Sequence, residues 1–291
     1  VGGCTSAVAT TTVVVNAAPA TPTAGSNSPV CVGSTILLTS NTVAGATYSW
    51  TGPSAFTSAL EDPTIASATA VMAGTYSLTV TVGGCTSAVA TTTVAVNTAP
   101  ATPTVGSSTP DCVGQTISLT SNTIAGATYS WTGPAAFTSA LEDPTRPSAT
   151  LAMAGTYSLT VTVGGCTSAM ATTTVVVNAL PATPTATNTG PYCEGATINL
   201  STPTVGGAAY AWTGPASYTA AIRTPSRPSS TLAMAVTYSV TITVGGCTSL
   251  PGTTTVVVNP IPATPTAGSN SPVCTGSTIL LTSNTVAGAT Y

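Results

Sequence analysis

The cysteines fall at 4, 31, 85, 112, 166, 193, 247 and 274, so the gaps alternate between 27 and 54 residues and two successive gaps always span 81. Trp50, Trp131 and Trp212 recur at the same interval, as do Tyr48, Tyr129, Tyr210 and Tyr291. A fixed period of this length makes each copy one folding unit that contacts its neighbours. The 291 residues then read as 1–16, the last strand of a preceding repeat, three full copies at 17–97, 98–178 and 179–259, and the start of a fourth at 260–291. A chain that opens inside one copy and stops inside another is expected to be a window from a longer array. Copies of this size are small but able to fold alone.

Within a copy the clearest text runs from Gly74 to Asn97, GTYSLTVTVGGCTSAVATTTVAVN. Tyr76, Leu78, Val80 and Val82 alternate with Ser77, Thr79 and Thr81, the period of a strand with one buried face, and Gly83-Gly84 permits a tight reversal into a second Thr/Val-rich strand. The same hairpin recurs at 155–178 and, with changes, at 236–259. Upstream, the prolines at 19, 22 and 29 predict a stiff linker that becomes an edge strand, and Cys31 to Ser34 a turn. Ile36 and Leu38 are expected to point inward, because position 37 varies from Leu to Ser118 to Asn199 while its neighbours stay aliphatic. Tyr48 and Trp50 share one face of a third strand, and Trp50 is read as a core anchor rather than a stacking platform. Residues 52–70 contribute one or two short strands. Short strands, frequent turn signals and no helical periodicity give an all-β sandwich of about seven strands per copy.

Charge narrows the function classes. Charged residues are 3% of the chain, the net charge is −3, and there is no Lys or His. Three Arg with no basic cluster exclude nucleic acid and anionic membrane surfaces as expected partners. No apolar run is long enough for a spanning helix, so no membrane insertion is expected within this window. Low charge favours lateral association or glycosylation. Eight regularly placed cysteines without His or C-x-x-C spacing fit disulfides in an oxidising, extracellular compartment.

The segment Gly33 to Ser40, then Trp50, then Ala73 to Leu78 resembles the immunoglobulin pattern of strand B, the strand C tryptophan and the tyrosine corner, with Tyr76, Tyr157 and Tyr238 as the corners. The resemblance implies tandem immunoglobulin-like β-sandwich domains. The sequence departs from the pattern where the inter-sheet cysteines would fall, since Ser40 and Leu78 stand there. The strings PATPTAGSNSPVC, ATYSWTGP and AGTYS with TVTVGGCTSA are also similar to immunoglobulin-like or PKD-like repeats of large secreted and cell-surface proteins of Bacteroidetes-type bacteria, which implies type IX export and an adhesin or surface-filament role.

In an immunoglobulin sandwich strands B and F run the same way, so Cys31 and Cys85 fall at opposite ends of a domain. The resemblance then implies bonds between successive copies, Cys31 with Cys166 and Cys112 with Cys247. Intradomain pairing of Cys31 with Cys85, and free or interchain thiols, stay open; Cys4, Cys85, Cys193 and Cys274 complete the set of candidates.

No arrangement of nucleophile and base is present, because the many Ser and Thr have no His or Lys to activate them, and no enzyme activity is expected. Glu61-Asp62 and Glu142-Asp143 supply too few oxygens for Ca²⁺, and Arg223-Thr224 replaces them in the third copy, so they are read as solvated loops and no metal or cofactor is expected. Arg146 and Arg227, with Ile65 at the same place in the first copy, are read as exposed. Thr79, Thr81, Thr91 and Thr93 would line an outer hairpin face. The expected function is a structural, non-enzymatic repeat array forming an extracellular surface filament or adhesin stalk, whose partners are neighbouring copies of itself or the rest of a longer array. Two rivals are a module that binds surface polysaccharide through the Thr face or the loops of Phe56, Phe137 and Tyr218, and a self-assembling fibre joined by strand addition.

Overall fold

A computed structural model describes residues 2–290; Val1, the first residue of the 1–16 fragment, and Tyr291, the last of the tyrosine series, lie outside the described residues. In the first repeat the strands are β1 (Ala24–Ser26), β2 (Val30–Cys31), β3 (Ile36–Ser40), β4 (Thr47–Gly52), β5 (Phe56–Ser58), β6 (Thr64–Ile65), β7 (Gly74–Val82), β8 (Cys85–Thr86), β9 (Ala90–Val94) and β10 (Val96–Asn97). One sheet has the order β1-β3-β6; the facing sheet has β5-β4-β7-β8, with β9 also paired to β7. The prolines of the linker leave β1 and β2 as two short edge pieces. β1 pairs antiparallel with β3, and β2 crosses to pair parallel with β10, setting Cys31 beside Asn97.

The core follows from strand alternation. β3 buries Ile36 and Leu38 and turns Leu37 outward at 42% exposure. β4 places Trp50 opposite Leu78 of β7, and both are fully buried. Burying an aromatic of that size contributes more than any other single side chain of the cluster, which also holds Tyr76, Val80 and Val94. The outer face of the same hairpin leaves Thr91 and Thr93 exposed and Thr79 and Thr81 half-buried. The reversal between β7 and β8 has Gly83 and Gly84 at φ of 56° and 81°, left-handed values that glycine adopts without a Cβ clash.

Tyr76 Oη donates to the Met72 carbonyl at 2.9 Å, the bond that fixes a tyrosine corner. With two facing sheets, an A strand shared between them, a buried strand C tryptophan and this corner, each repeat is an immunoglobulin-like sandwich. The place of the strand B cysteine is taken by Leu38, fully buried in the core with Leu78, and not by Ser40, which sits half-buried at the strand end. Cys31 ends β2 and opens the expected turn, with the Ser34 amide donating to its carbonyl at 2.9 Å.

The other repeats preserve these pairings, with Trp131 opposite Leu159 and Trp212 opposite Val240. Tyr157 Oη likewise donates to the Met153 carbonyl, and Tyr238 is fully buried. Arg146 and Arg227 are not free surface cations. Arg146 Nη1 donates to Tyr157 Oη at 2.6 Å and to the Pro134 carbonyl at 2.9 Å, with its guanidinium 4.7 Å from the Phe137 ring centroid. Arg227 repeats this on Tyr238, Pro215 and Tyr218. A planar cation that is weakly hydrated can stack and donate at once, which suits it to this half-buried place.

Residues 2–16 are exposed and carry no strand, and in 260–290 one short pair forms, Ala267–Ser269 with Leu281–Ser283. By compactness the chain forms two units. The first holds the residues up to Thr109 with Thr116–Pro147 and Ala152–Val176; the second holds Pro110–Gln115, Ser148–Leu151 and the residues from Val177 onward.

Candidate functional site at the stapled junctions

The parallel pairing of β2 with β10 brings Cys31 to one pole of the first repeat, and the glycine turn of the second repeat brings Cys166 to it. Their sulfurs are bonded, with Cα atoms 5.6 Å apart. Cys112 and Cys247 are bonded in the same way, again 5.6 Å apart and again 135 residues apart in sequence. Cys4, Cys85, Cys193 and Cys274 are free. The structure therefore joins Cys31 to Cys166 and Cys112 to Cys247, and it does not join Cys31 to Cys85.

Around the first bond the contacts are close. Asn97 Nδ2 donates to the Gly164 carbonyl at 2.7 Å, and Cys166 Sγ lies 3.6 Å from the Asn97 carbonyl. Asn16 makes the equivalent bond to the Gly83 carbonyl at 3.1 Å. Each of these asparagines ends a copy, and each covers a glycine whose missing side chain leaves room for it. Sequence reading passed over them, although their recurrence at 16, 97 and 178 was the available signal.

Asn178 does not repeat the contact. A Cβ on Gly245 would meet nothing within 4 Å, whereas one on Gly164 would meet Asn97 Nδ2 at 2.8 Å. The gap is a cavity of about 460 Å³ lined by Asn178, Ala179, Pro181, Val205, Ile242 and Val244, among others. A second cavity of about 180 Å³ adjoins it, sharing Ala182, Val205 and Ile242 and reaching Pro184 and Thr202.

Two substitutions account for the opening. In the first two repeats Asn41 and Asn122 accept a hydrogen bond from the linker amides of Thr23 and Thr104, both at 2.6 Å. Pro203 stands at that position in the third repeat and offers no side-chain acceptor, so the linker loses its anchor. The linker settles with the Pro184 carbonyl only 1.7 Å from where a Cβ on Gly252 would lie, and Gly252 replaces the alanines at 90 and 171.

The loop carboxylates explain the rest of the difference. Asp62 Oδ1 accepts from the Ser40 amide at 2.8 Å, and Thr42 Oγ1 donates to Glu61 at 2.5 Å. Trp50 Nε1 donates to the Glu61 carbonyl at 3.1 Å. Asp143, Glu142 and Trp131 repeat all three bonds. These carboxylates sit in a loop, as expected, with Asp62 and Asp143 exposed, and they also clasp that loop to the neighbouring strand. In the third repeat Arg223 and Thr224 stand in their place, and Arg223 Nη1 donates to the Thr202 carbonyl at 3.1 Å. Thr202 Oγ1, Trp212 Nε1 and Tyr218 Oη are buried without a hydrogen-bond partner among the described residues, and all three belong to this repeat.

Burial raises the Tyr76 hydroxyl above its ordinary pKa. Tyr218 is raised as well, by burial first and by Tyr238 second, with Arg227 acting in the opposite direction. Among the described residues no group of three or more potential metal ligands occurs, and no helix is long and apolar enough to cross a membrane.

No family model matches the chain, and no curated protein matches it. Solved structures similar to it include immunoglobulin domains 1–5 of Sidekick-1, at 12% identity and a TM-score of 0.32, covering 85% of this chain and 59% of that one. The three N-terminal domains of the bacteriophage RB49 highly immunogenic outer capsid protein align over 82% of this chain and 99% of that one, at 17% identity and a TM-score of 0.34. Titin domains A168–A170 align over 82% and 98%, at 12% identity and a TM-score of 0.29.

Proposed function

We propose that this chain is part of a non-enzymatic structural array that acts outside the cell as the stalk of a surface filament or adhesin. The observation that carries the reading is the pair of bonds Cys31–Cys166 and Cys112–Cys247, each tying the A–G edge of one repeat to the F–G turn of the next. A bond inside a domain steadies that domain alone, whereas a bond between domains keeps neighbours together when the chain is loaded. Disulfides persist in oxidising compartments, which supports an extracellular location. The absence of His and Lys from the sequence removes the usual bases for a Ser or Thr nucleophile, which supports a non-enzymatic role. The partners are neighbouring repeats of the same kind, and the resemblance to bacterial surface repeats favours a cell surface reached by type IX export.

Electron micrographs of the purified, oxidised chain test the reading. Elongated particles with regular domain spacing, lost or loosened on reduction, are the expected result. Compact, isolated globules that ignore reductant would overturn it.

A further inference from the structure

We propose that this chain joins a second copy of itself, residues 271–275 of one molecule adding along residues 14–16 of the other, with Cys274 bonding to Cys85 and Cys193 to Cys4. The inference stands apart from the stalk reading. A chain that stays single can still serve as a stalk, and the bonds Cys31–Cys166 and Cys112–Cys247 are the same in either case.

The bonded junctions show what the complete interface contains. Beside Cys31–Cys166, the A–G edge of the first repeat is held by the Ala95 amide donating to Ser28 Oγ at 2.9 Å, the Val30 amide to the Ala95 carbonyl at 3.0 Å and the Val32 amide to the Asn97 carbonyl at 2.9 Å. Asn97 then covers the glycine turn that carries Cys166. In the second repeat the Val176 amide donates to Thr109 Oγ1 at 2.7 Å and the Val113 amide to the Asn178 carbonyl at 2.9 Å, beside Cys112–Cys247. Closure buries the turn cysteines, since Cys166 and Cys247 are each 1% exposed.

The two halves of this interface also occur apart. Around Cys85 the turn and its cover are already assembled, because Asn16 Nδ2 donates to the Gly83 carbonyl at 3.1 Å and Cys85 Sγ lies 3.3 Å from the Asn16 carbonyl. The edge strand is missing there. Val14 and Val15, at the repeat positions of Ala95 and Val96, are 76% and 89% exposed and belong to no strand, and Cys85 is free. Ser271, Val273 and Thr275 stand at the repeat positions of Ser28, Val30 and Val32, exposed and outside any strand, with Cys274 free beside them. A second pair of halves has the same form. Cys193 is free and lies beside Asn259 in the register of Cys31 beside Asn97. Gly2 and Gly3, at φ of 69° and 82°, turn as Gly164 and Gly165 do at 55° and 82°, and present the free, exposed Cys4. Exposed amides and carbonyls along an unpaired strand are what strand addition satisfies. Each half therefore meets the other with the donors, acceptors and thiols that two bonded junctions of this chain already use.

Each bond forms by exchange with a low-molecular-weight disulfide such as oxidised glutathione. The Cys85 thiolate attacks it and releases one glutathione thiolate; the Cys274 thiolate then attacks the Cys85 sulfur and releases the second. Two cysteine thiols are oxidised and one glutathione disulfide is reduced. The test mixes equal amounts of heavy-isotope-labelled and unlabelled full chain, oxidises them in glutathione buffer, and maps the linked peptides by mass spectrometry. Multimers on non-reducing gels are expected, joined by Cys274–Cys85 and Cys193–Cys4 in mixed-label peptides, with Cys274–Cys85 exceeding Cys85–Cys85 by about tenfold or more. Cys85→Ser combined with Cys193→Ser should leave the chain monomeric. Val14→Pro removes the amide that would donate to Ser271 Oγ, at an exposed position outside every strand. It should lower the Cys274–Cys85 yield by about threefold or more while Cys31–Cys166 and Cys112–Cys247 form as before. The proposal is overturned by a chain that stays monomeric with four free thiols, by linked peptides without mixed labels, by Cys85–Cys85 as abundant as Cys274–Cys85, or by Val14→Pro without effect.

Discussion

The two bonds interlock, because Cys112 lies inside the loop closed by Cys31–Cys166 and Cys166 lies inside the loop closed by Cys112–Cys247. When the chain is pulled from its ends, force follows the shortest covalent route from residue 31 to residue 247. With both bonds intact that route crosses to 166, runs back along the 54 residues to 112, and crosses again to 247. At about 3.5 Å per extended residue this segment can lengthen to only ~190 Å. With one bond removed, by Cys31→Ser or Cys112→Ser, the route contains 81 residues and reaches about 280 Å. With both removed it is the whole 216-residue segment, about 760 Å. Single-molecule force extension with handles at the two termini reads these lengths directly. Segments outside residues 31–247 contribute equally in every state and cancel in the differences. The decisive outcome is the order of contour lengths: the double bond shortest, the single variants equal to each other, the reduced chain longest by ~570 Å over the oxidised one. An oxidised chain that released the full length would refute the interlocked pairing. Single variants that differed from each other would refute the equivalence of the two junctions.

Three further outcomes follow from particular contacts. Tyr76→Phe removes one hydrogen bond to the Met72 carbonyl and should cost about 1 kcal/mol, whereas Tyr157→Phe also strips Arg146 of an acceptor and should cost about 2 kcal/mol; equal shifts in calorimetric melting would rule out the arginine's contribution. Asn97→Ala should lower stability by about 1 kcal/mol through the lost bond to Gly164, while Asn178→Ala should change it little, since Asn178 has no such contact. The raised pKa of Tyr76 means that the folded chain prefers the neutral phenol. Its contribution is therefore whole below about pH 10 and is lost as pH climbs through the elevated value. Tyrosinate absorbance and melting temperature followed together should show unfolding in that alkaline window, and a melting temperature flat across it would contradict the assignment.

The strands, their facing and the tyrosine corner were legible because each rests on alternation within a few residues. Leu37 variation against constant Ile36 and Leu38 located the core face of β3, and the Gly83-Gly84 pair located the reversal. The strand B position was misplaced by two residues, at Ser40 instead of Leu38, since both lie on the same face and only burial separates them. Arg146 and Arg227 were read as exposed because a charged residue in a loop-rich segment gives no local sign of a partner. Their acceptor is the corner tyrosine, 11 residues downstream. Glu61 and Asp62 failed to declare their role for the same reason, since the groups they clasp lie about twenty residues away. The cleft was invisible in any one copy. It becomes readable only when Asn41, Asn122 and Pro203 are set against Ala90, Ala171 and Gly252, because two departures from the repeat coincide in one repeat.

The same alternation of gaps that defines the period also decides how such an array would carry load. A bond closing the 54-residue gap within each copy would leave 27 extensible residues in every 81. The observed bond spans 135 residues, one full period more. An array in which it recurred in register would be crossed by leaving Cys31 for Cys166 and walking 27 residues to Cys193, the next equivalent of Cys31, two periods on. The copy passed over would be linked through its own series, beginning at Cys112 and Cys247. Two interleaved covalent routes would then run through one polypeptide, each half as extensible as the intradomain alternative. Breaking one bond would transfer load to the other route without freeing the chain, which is the mechanical property a long stalk requires and a set of independently bridged domains does not provide.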